Sequence, residues 1–99
     1  MEEGIGLFRQ ALRLDPDNAE ALLDLGGALA KTGRAAEAIP FLEQALANGP
    51  RTTVVLNSLG FARLETGDTR GALAALRESL SIDPKQAQIA SVAQGLRQR

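Results

Sequence analysis

Apolar positions recur at helical spacing along most of the chain. From Ala19, the residues Leu22, Leu25 and Leu29 lie three or four apart, and a second run follows through Ala38, Ile39, Leu42, Ala45 and Leu46. This spacing gathers apolar side chains on one face of an α-helix, whereas a strand would alternate at every second residue. Two further runs have the same character, Leu56 and Leu59, then Ala72, Leu73, Leu76 and Leu80. The breaks between runs are marked. Gly33 is placed to adopt a left-handed conformation and cap the first run. Gly49 ends the second, and Pro50 cannot continue a helix. In Asp15-Pro16 and Asp83-Pro84, proline suits the first turn of a new helix and aspartate suits its cap, so helices are expected to start there. Pro40 falls inside the second run, where it removes a backbone hydrogen bond and is expected to bend the helix.

The runs repeat. Pro16, Pro50 and Pro84 are separated by 34 residues each time, and the same step relates Ile5, Ile39 and Leu73, then Phe8, Leu42 and Leu76, then Ala11, Ala45 and Ser79, then Leu12, Leu46 and Leu80. It also relates Leu22 to Leu56, Leu25 to Leu59, Gly26 to Gly60 and Gly33 to Gly67. A repeat of this length is one supersecondary unit that needs neighbours to bury its apolar face. The chain therefore divides into two complete helix pairs, residues 19–52 and 53–86. Residues 1–18 form the second helix of a partial unit, and 87–99 form a C-terminal capping helix. This is a single all-α domain, 1–99, of about six helices. Ala90, Ala93 and Gln94 replace the large apolar residues and glycine of the complete units, as expected of an end repeat. Glycine costs about 1 kcal/mol in a helix interior, so its recurrence at Gly26 and Gly60 implies close packing. The Gly26-Gly27 pair has no strand before it and no Lys-Ser/Thr after it, which excludes a phosphate loop.

Composition narrows the chemistry. Of the 99 residues, 44% are hydrophobic and only Phe8, Phe41 and Phe61 are aromatic, which suits closely packed helices and not a β-sandwich. Eleven basic and twelve acidic residues give a net charge of −1, against nucleic acid as a partner. The densest basic cluster, Arg97 and Arg99, complements the end of a helix dipole. The absence of Cys and His removes disulfides, the usual metal ligands and the usual general base. Ser58, Ser79, Ser81 and Ser91 thus lack an activating imidazole, and Asp15, Asp17, Asp24 and Asp83 are read mainly as helix caps rather than carboxylate pairs. No cofactor, metal or catalytic residue is expected, and the chain is not expected to be an enzyme. No apolar run approaches the ~18–20 residues of a membrane span, so no membrane insertion is expected. The acidic start lacks a signal peptide's basic region. The compartment stays open, with the cytoplasm favoured for want of a targeting segment.

These residues resemble the tetratricopeptide repeat. In 19–52 the matching positions are Leu22, Leu25-Gly26, Leu29, Ala38, Leu42, Ala45 and Pro50. In 53–86 they are Leu56, Leu59-Gly60, Arg63, Ala72, Leu76, Ser79 and Pro84. The family's aromatics are replaced by leucine at 22, 29 and 42 and by Arg63, so less volume per layer is expected. The resemblance implies a right-handed superhelical solenoid of antiparallel helix pairs whose first helices line a concave groove for a partner protein or peptide. The groove residues expected are Leu23, Gly27, Ala30 and Lys31, then Asn57, Phe61, Leu64 and Glu65, then Ser91 and Gly95. Phe61 either anchors a ligand side chain beside Leu64 or fills the gap left by Arg63. Asn57 either bonds a peptide backbone or is merely solvated. Leu23 and Gly27 stand where relatives that clamp chaperone C-termini carry Lys and Asn, which argues against that activity. A second reading is self-assembly, with Ile5, Phe8, Val92 and Leu96 completing a repeat between copies to give a dimer or higher oligomer, set against a chain cut from a longer array. A third is the docking part of a larger enzyme.

Overall fold

Most helices in this chain start or stop on a cap that its own side chains or glycines supply. The computed structural model describes residues 2–97, which form α1 (Glu2–Leu14), α2 (Ala19–Lys31), α3 (Ala35–Asn48), α4 (Thr53–Glu65), α5 (Thr69–Ile82) and α6 (Ala87–Arg97). Among the described residues there is no strand. Arg99, and with it any junction between Arg99 and Met1 of another copy, lies outside them.

The N-termini of α2, α4 and α5 are each closed by a side chain accepting a free backbone N–H. Asn18 Oδ1 accepts from Ala21 at 3.0 Å, Thr52 Oγ1 from Val55 at 3.4 Å, and Asp68 Oδ1 from Gly71 at 2.9 Å. The turns within each pair are Schellman motifs on left-handed glycine. Gly33 has φ +80°, with Gly33 N–H donating to Ala30 O and Arg34 N–H to Leu29 O. Gly67 has φ +89°, with Gly67 N–H donating to Leu64 O and Asp68 N–H to Arg63 O. Asp68 therefore ends one helix and caps the next.

The two Asp-Pro pairs do not start helices as expected. The N–H of Asp15 still donates to Ala11 O at 2.9 Å, extending the end of α1, and α2 begins only at Ala19. Asp83 is the C-cap of α5, and its Oδ1 accepts from Lys85 N–H at 3.1 Å. Both prolines sit in the turns between repeats. Pro40 lies within α3, which runs without interruption from Ala35 to Asn48. The bond it forfeits is the one to the carbonyl of Ala36, and Ala36 and Pro40 are both exposed, so water can take the partner's place.

Each helix packs on the next, α3 against α4 joins the two pairs, and α2 also touches α4. The result is elongated, 42 × 25 × 18 Å, as stacking along one direction requires. Leu22, Leu25, Leu29 and Leu42 fill the first pair and Leu56, Leu59 and Leu76 the second, all fully buried. Burying each such leucine contributes about 1.5–3 kcal/mol, so leucine serves where the family pattern has aromatics. Arg63 does not leave a hole. It is half-buried, its Nη1 donates to Gly71 O at 3.2 Å, and its Nη2 meets Glu43 Oε2 on α3 at 3.1 Å. On the other side of the turn, Arg51 grips Glu78 with both Nε and Nη2.

Candidate functional site

Residues four apart on a helix share a face, and on α2 this places Leu23, Gly27 and Lys31 together. They line an open cavity of about 350 Å³ together with Asp24 and Ala28 of α2, Val54 and Ser58 of α4 and Phe8 of α1. The lining is mostly apolar and includes one charge of each sign, Lys31 and Asp24. Val54 is 59% exposed, a large apolar side chain held in water. It was not among the expected groove residues. The signal was present, because Val54 lies three residues before Asn57 and hence on the same helical face.

Along the rest of α4 the expected residues separate. Phe61 is 40% exposed; with the site of Arg63 filled by Arg63 itself, Phe61 stays at the surface. It does not line the α2–α4 cavity. Leu64, expected beside it as a free contact, is half-buried against Ala72, Leu76, Ile89, Ala93 and Leu96. The cluster it joins is built by α5 and α6 together. Asn57 is half-buried too. Its Nδ2 donates to Gln86 Oε1 at 2.8 Å, and its Oδ1 is buried without a partner among the described residues. Gln86 in turn donates to Ser79 Oγ at 3.0 Å and to Ser79 O at 3.2 Å. A peptide backbone therefore competes with Gln86 for Asn57. Glu65, Lys31 and Ser91 are exposed, as is Gly95, and Ala30 is half-buried.

The residues considered for self-association divide as well. Ile5 is 3% exposed within the core that α1 shares with α2, and Leu96 is 4% exposed against α5. Both are consumed by the chain's own packing. Phe8 and Val92 are half-buried and pack on the edges of those clusters. Of the serines, Ser79 is fully buried and bonded to Gln86, so it is structural. Among the described residues no group of three or more acidic side chains is placed to hold a metal ion. No described helix is long and apolar enough to cross a membrane.

With this geometry in hand, the comparisons place the chain. Two family models described as tetratricopeptide repeat match residues 2–51 and 54–86. The chain belongs to the tetratricopeptide repeat family. Domains of this family are generally non-catalytic and mediate protein–protein interactions. No curated protein gives a significant match. Among solved structures, TTC0263, a thermophilic TPR protein of Thermus thermophilus, is 26% identical over 99% of this chain and 50% of its own, with a TM-score of 0.80. MamA is 23% identical over 93% of this chain and 54% of its own, at a TM-score of 0.88. This chain thus spans about half the length of either protein. The first TPR of Spaghetti (RPAP3), solved bound to the HSP90 peptide SRMEEVD, is 18% identical over 98% of this chain and 77% of its own, at a TM-score of 0.91. The last two likenesses establish the shared fold.

Proposed function

We propose that this chain is a non-catalytic binding module that holds a segment of a partner protein on the face formed by α2, α4 and α6. One observation carries the reading. The α2–α4 cavity of about 350 Å³ is mostly apolar in its lining, open to solvent, and lined in part by Val54 at 59% exposure. Keeping Val54 and Phe61 in water on the same helix has a hydrophobic cost that partner binding would recover. Leu23, Gly27, Lys31, Val54 and Phe61 make the contacts, with Glu65 and Ser91 at the periphery. Leu23 and Gly27 stand where a carboxylate clamp would place Lys and Asn, so the reading rests on apolar contact with the bound segment and not on such a clamp. Self-assembly is the weaker reading, because Ile5 and Leu96 are already buried within the chain.

The test is affinity capture with the wild type, Val54→Ser and Phe61→Ser, each checked for an unchanged melting curve. Loss of the same specific partner from both variants is expected. Equal capture by all three would show that the partner binds elsewhere.

A further inference from the structure

The 34-residue step relates contacts as well as residues. Glu43 on α3 and Arg63 on α4 form an ion pair, Nη2 to Oε2 3.1 Å. One repeat later the same two places hold Arg77 on α5 and Arg97 on α6. An attractive pair at one junction has become two like charges at the next. Both arginines are exposed and line a cleft of about 690 Å³ whose apolar wall is Leu80, Ala90 and Ala93. Among the described residues no carboxylate lines it, and neither arginine makes an ion pair with another described residue.

The cleft lies where a complete unit seats its second helix. In the first pair, Leu22 packs with Ala45 and Leu25 with Leu42. The positions of α6 that correspond to Leu22 and Leu25 are Ala90 and Ala93. The smaller side chains open the space.

We propose that the α5–α6 cleft binds an acidic amphipathic helix of a partner protein, with its apolar side on Leu80, Ala90 and Ala93 and a carboxylate between Arg77 and Arg97. A carboxylate there restores the attraction that Glu43 gives Arg63, and relieves the repulsion of two guanidinium groups. Arg63 also donates to the carbonyl of Gly71, the third residue of α5. Arg97, at the equivalent place, is positioned to donate to a carbonyl in the first turn of the docked helix. Gln94 replaces the glycine that admits Leu42 and Leu76 in the complete pairs. The occupant therefore carries a small residue opposite Gln94 and larger apolar ones opposite Ala90 and Ala93. None of the proposed groove contacts on α2 or α4 lines this cleft, so the two sites act separately.

Two lactam-bridged helical peptides test this. They share one apolar face, with alanine opposite Gln94, and carry either glutamates or lysines on its flanks. Fluorescence anisotropy gives the affinities, and amide chemical shifts of Ala90 and Ala93 give the location. The glutamate peptide is expected to bind at least about tenfold tighter than the lysine peptide, with salt weakening it. The order is expected to reverse in Arg77→Glu/Arg97→Glu. Arg77→Gln and Arg97→Gln separately are expected to weaken the glutamate peptide about threefold or more, and they keep the test sound if the double variant melts early. Equal affinity for both peptides, no binding of either, a preference that survives the charge reversal, or shifts confined to other helices would overturn the proposal. So would self-association of the protein alone that depends on Arg77 and Arg97, which would put a second copy in the cleft.

Discussion

Gly26 and Leu42 touch so closely that a Cβ on Gly26 would stand 2.7 Å from Leu42 Cγ, and one on Gly60 would stand 2.9 Å from Leu76 Cγ. The two contacts are the same joint, repeated. Leu42 and Leu76 are fully buried, so neither can swing aside into solvent. Alanine would gain about 1 kcal/mol in helix propensity, but overpacking a full core costs about 1–3 kcal/mol. Gly26→Ala and Gly60→Ala are therefore expected to destabilise by about 1 kcal/mol net. At Gly27, one residue along, an added Cβ meets nothing within 4 Å. Gly27→Ala is expected to stabilise by up to about 1 kcal/mol. Urea unfolding of the three variants checks the opposite signs.

The caps give a second contrast. Asp68 accepts the N–H of Gly71 at 2.9 Å, and Asp68→Ala is expected to cost about 1 kcal/mol. Asp15 is exposed and caps no helix start, so Asp15→Ala is expected to change stability by less than about 0.5 kcal/mol. Thermal melts of the pair distinguish a cap from a turn residue.

The number of helices, their pairing and the 34-residue repeat were legible because the prolines and the apolar periodicity are local signals. That Leu23, Gly27 and Lys31 share one face of α2 was legible too, since residues four apart follow from helical geometry alone, and the three line one cavity. The caps were not. Asp15 and Asn18 are both good N-cap residues, and the turn that closes between α1 and α2 decides for Asn18. Leu64 lies off the core stripe of α4 in sequence, yet it packs against the cluster that α5 and α6 build, and local periodicity does not show that cluster. Asn57 and Gln86 are 29 residues apart, and no spacing rule connects two amides across that distance.

That amide contact is itself testable. Gln86 takes the Nδ2 hydrogen of Asn57, whose Oδ1 has no described partner. Gln86→Ala would leave the whole Asn57 amide without a protein partner, at a cost of about 1–3 kcal/mol. Asn57→Ala/Gln86→Ala is expected to be less destabilised than the sum of the single variants. Strict additivity in a double-mutant cycle would mean that the two side chains do not interact.

Acid should probe the Arg51–Glu78 pair. The hydrogen bonds from Arg51 hold the Glu78 carboxyl below the ordinary glutamate range, and Arg51 is raised by the same bonds. The folded state thus keeps Glu78 charged to lower pH than the unfolded state does. Its contribution is fully present above the unfolded value of about 4.3, and is lost as pH falls through the lowered folded value. Both side chains are exposed, so the effect is small. Wild type is expected to exceed Glu78→Gln in urea midpoint at pH ~7, and the gap should narrow progressively as the pH falls below the unfolded value of about 4.3. Glu37, lowered by its hydrogen bond from Arg34, titrates alike in both proteins and cancels. A gap that does not change with pH would show that the pair contributes no linkage.

The central claim is that the helix face bearing Val54 and Phe61 is where a partner rests. Photo-crosslinking tests it most directly, with a benzophenone amino acid placed at Phe61 in one protein and at Gln44, exposed on α3, in another. A single crosslinked partner from position 61, absent from position 44 and reduced by Val54→Ser, is the predicted result. The same partner crosslinked from position 44 and not from position 61 would contradict the account.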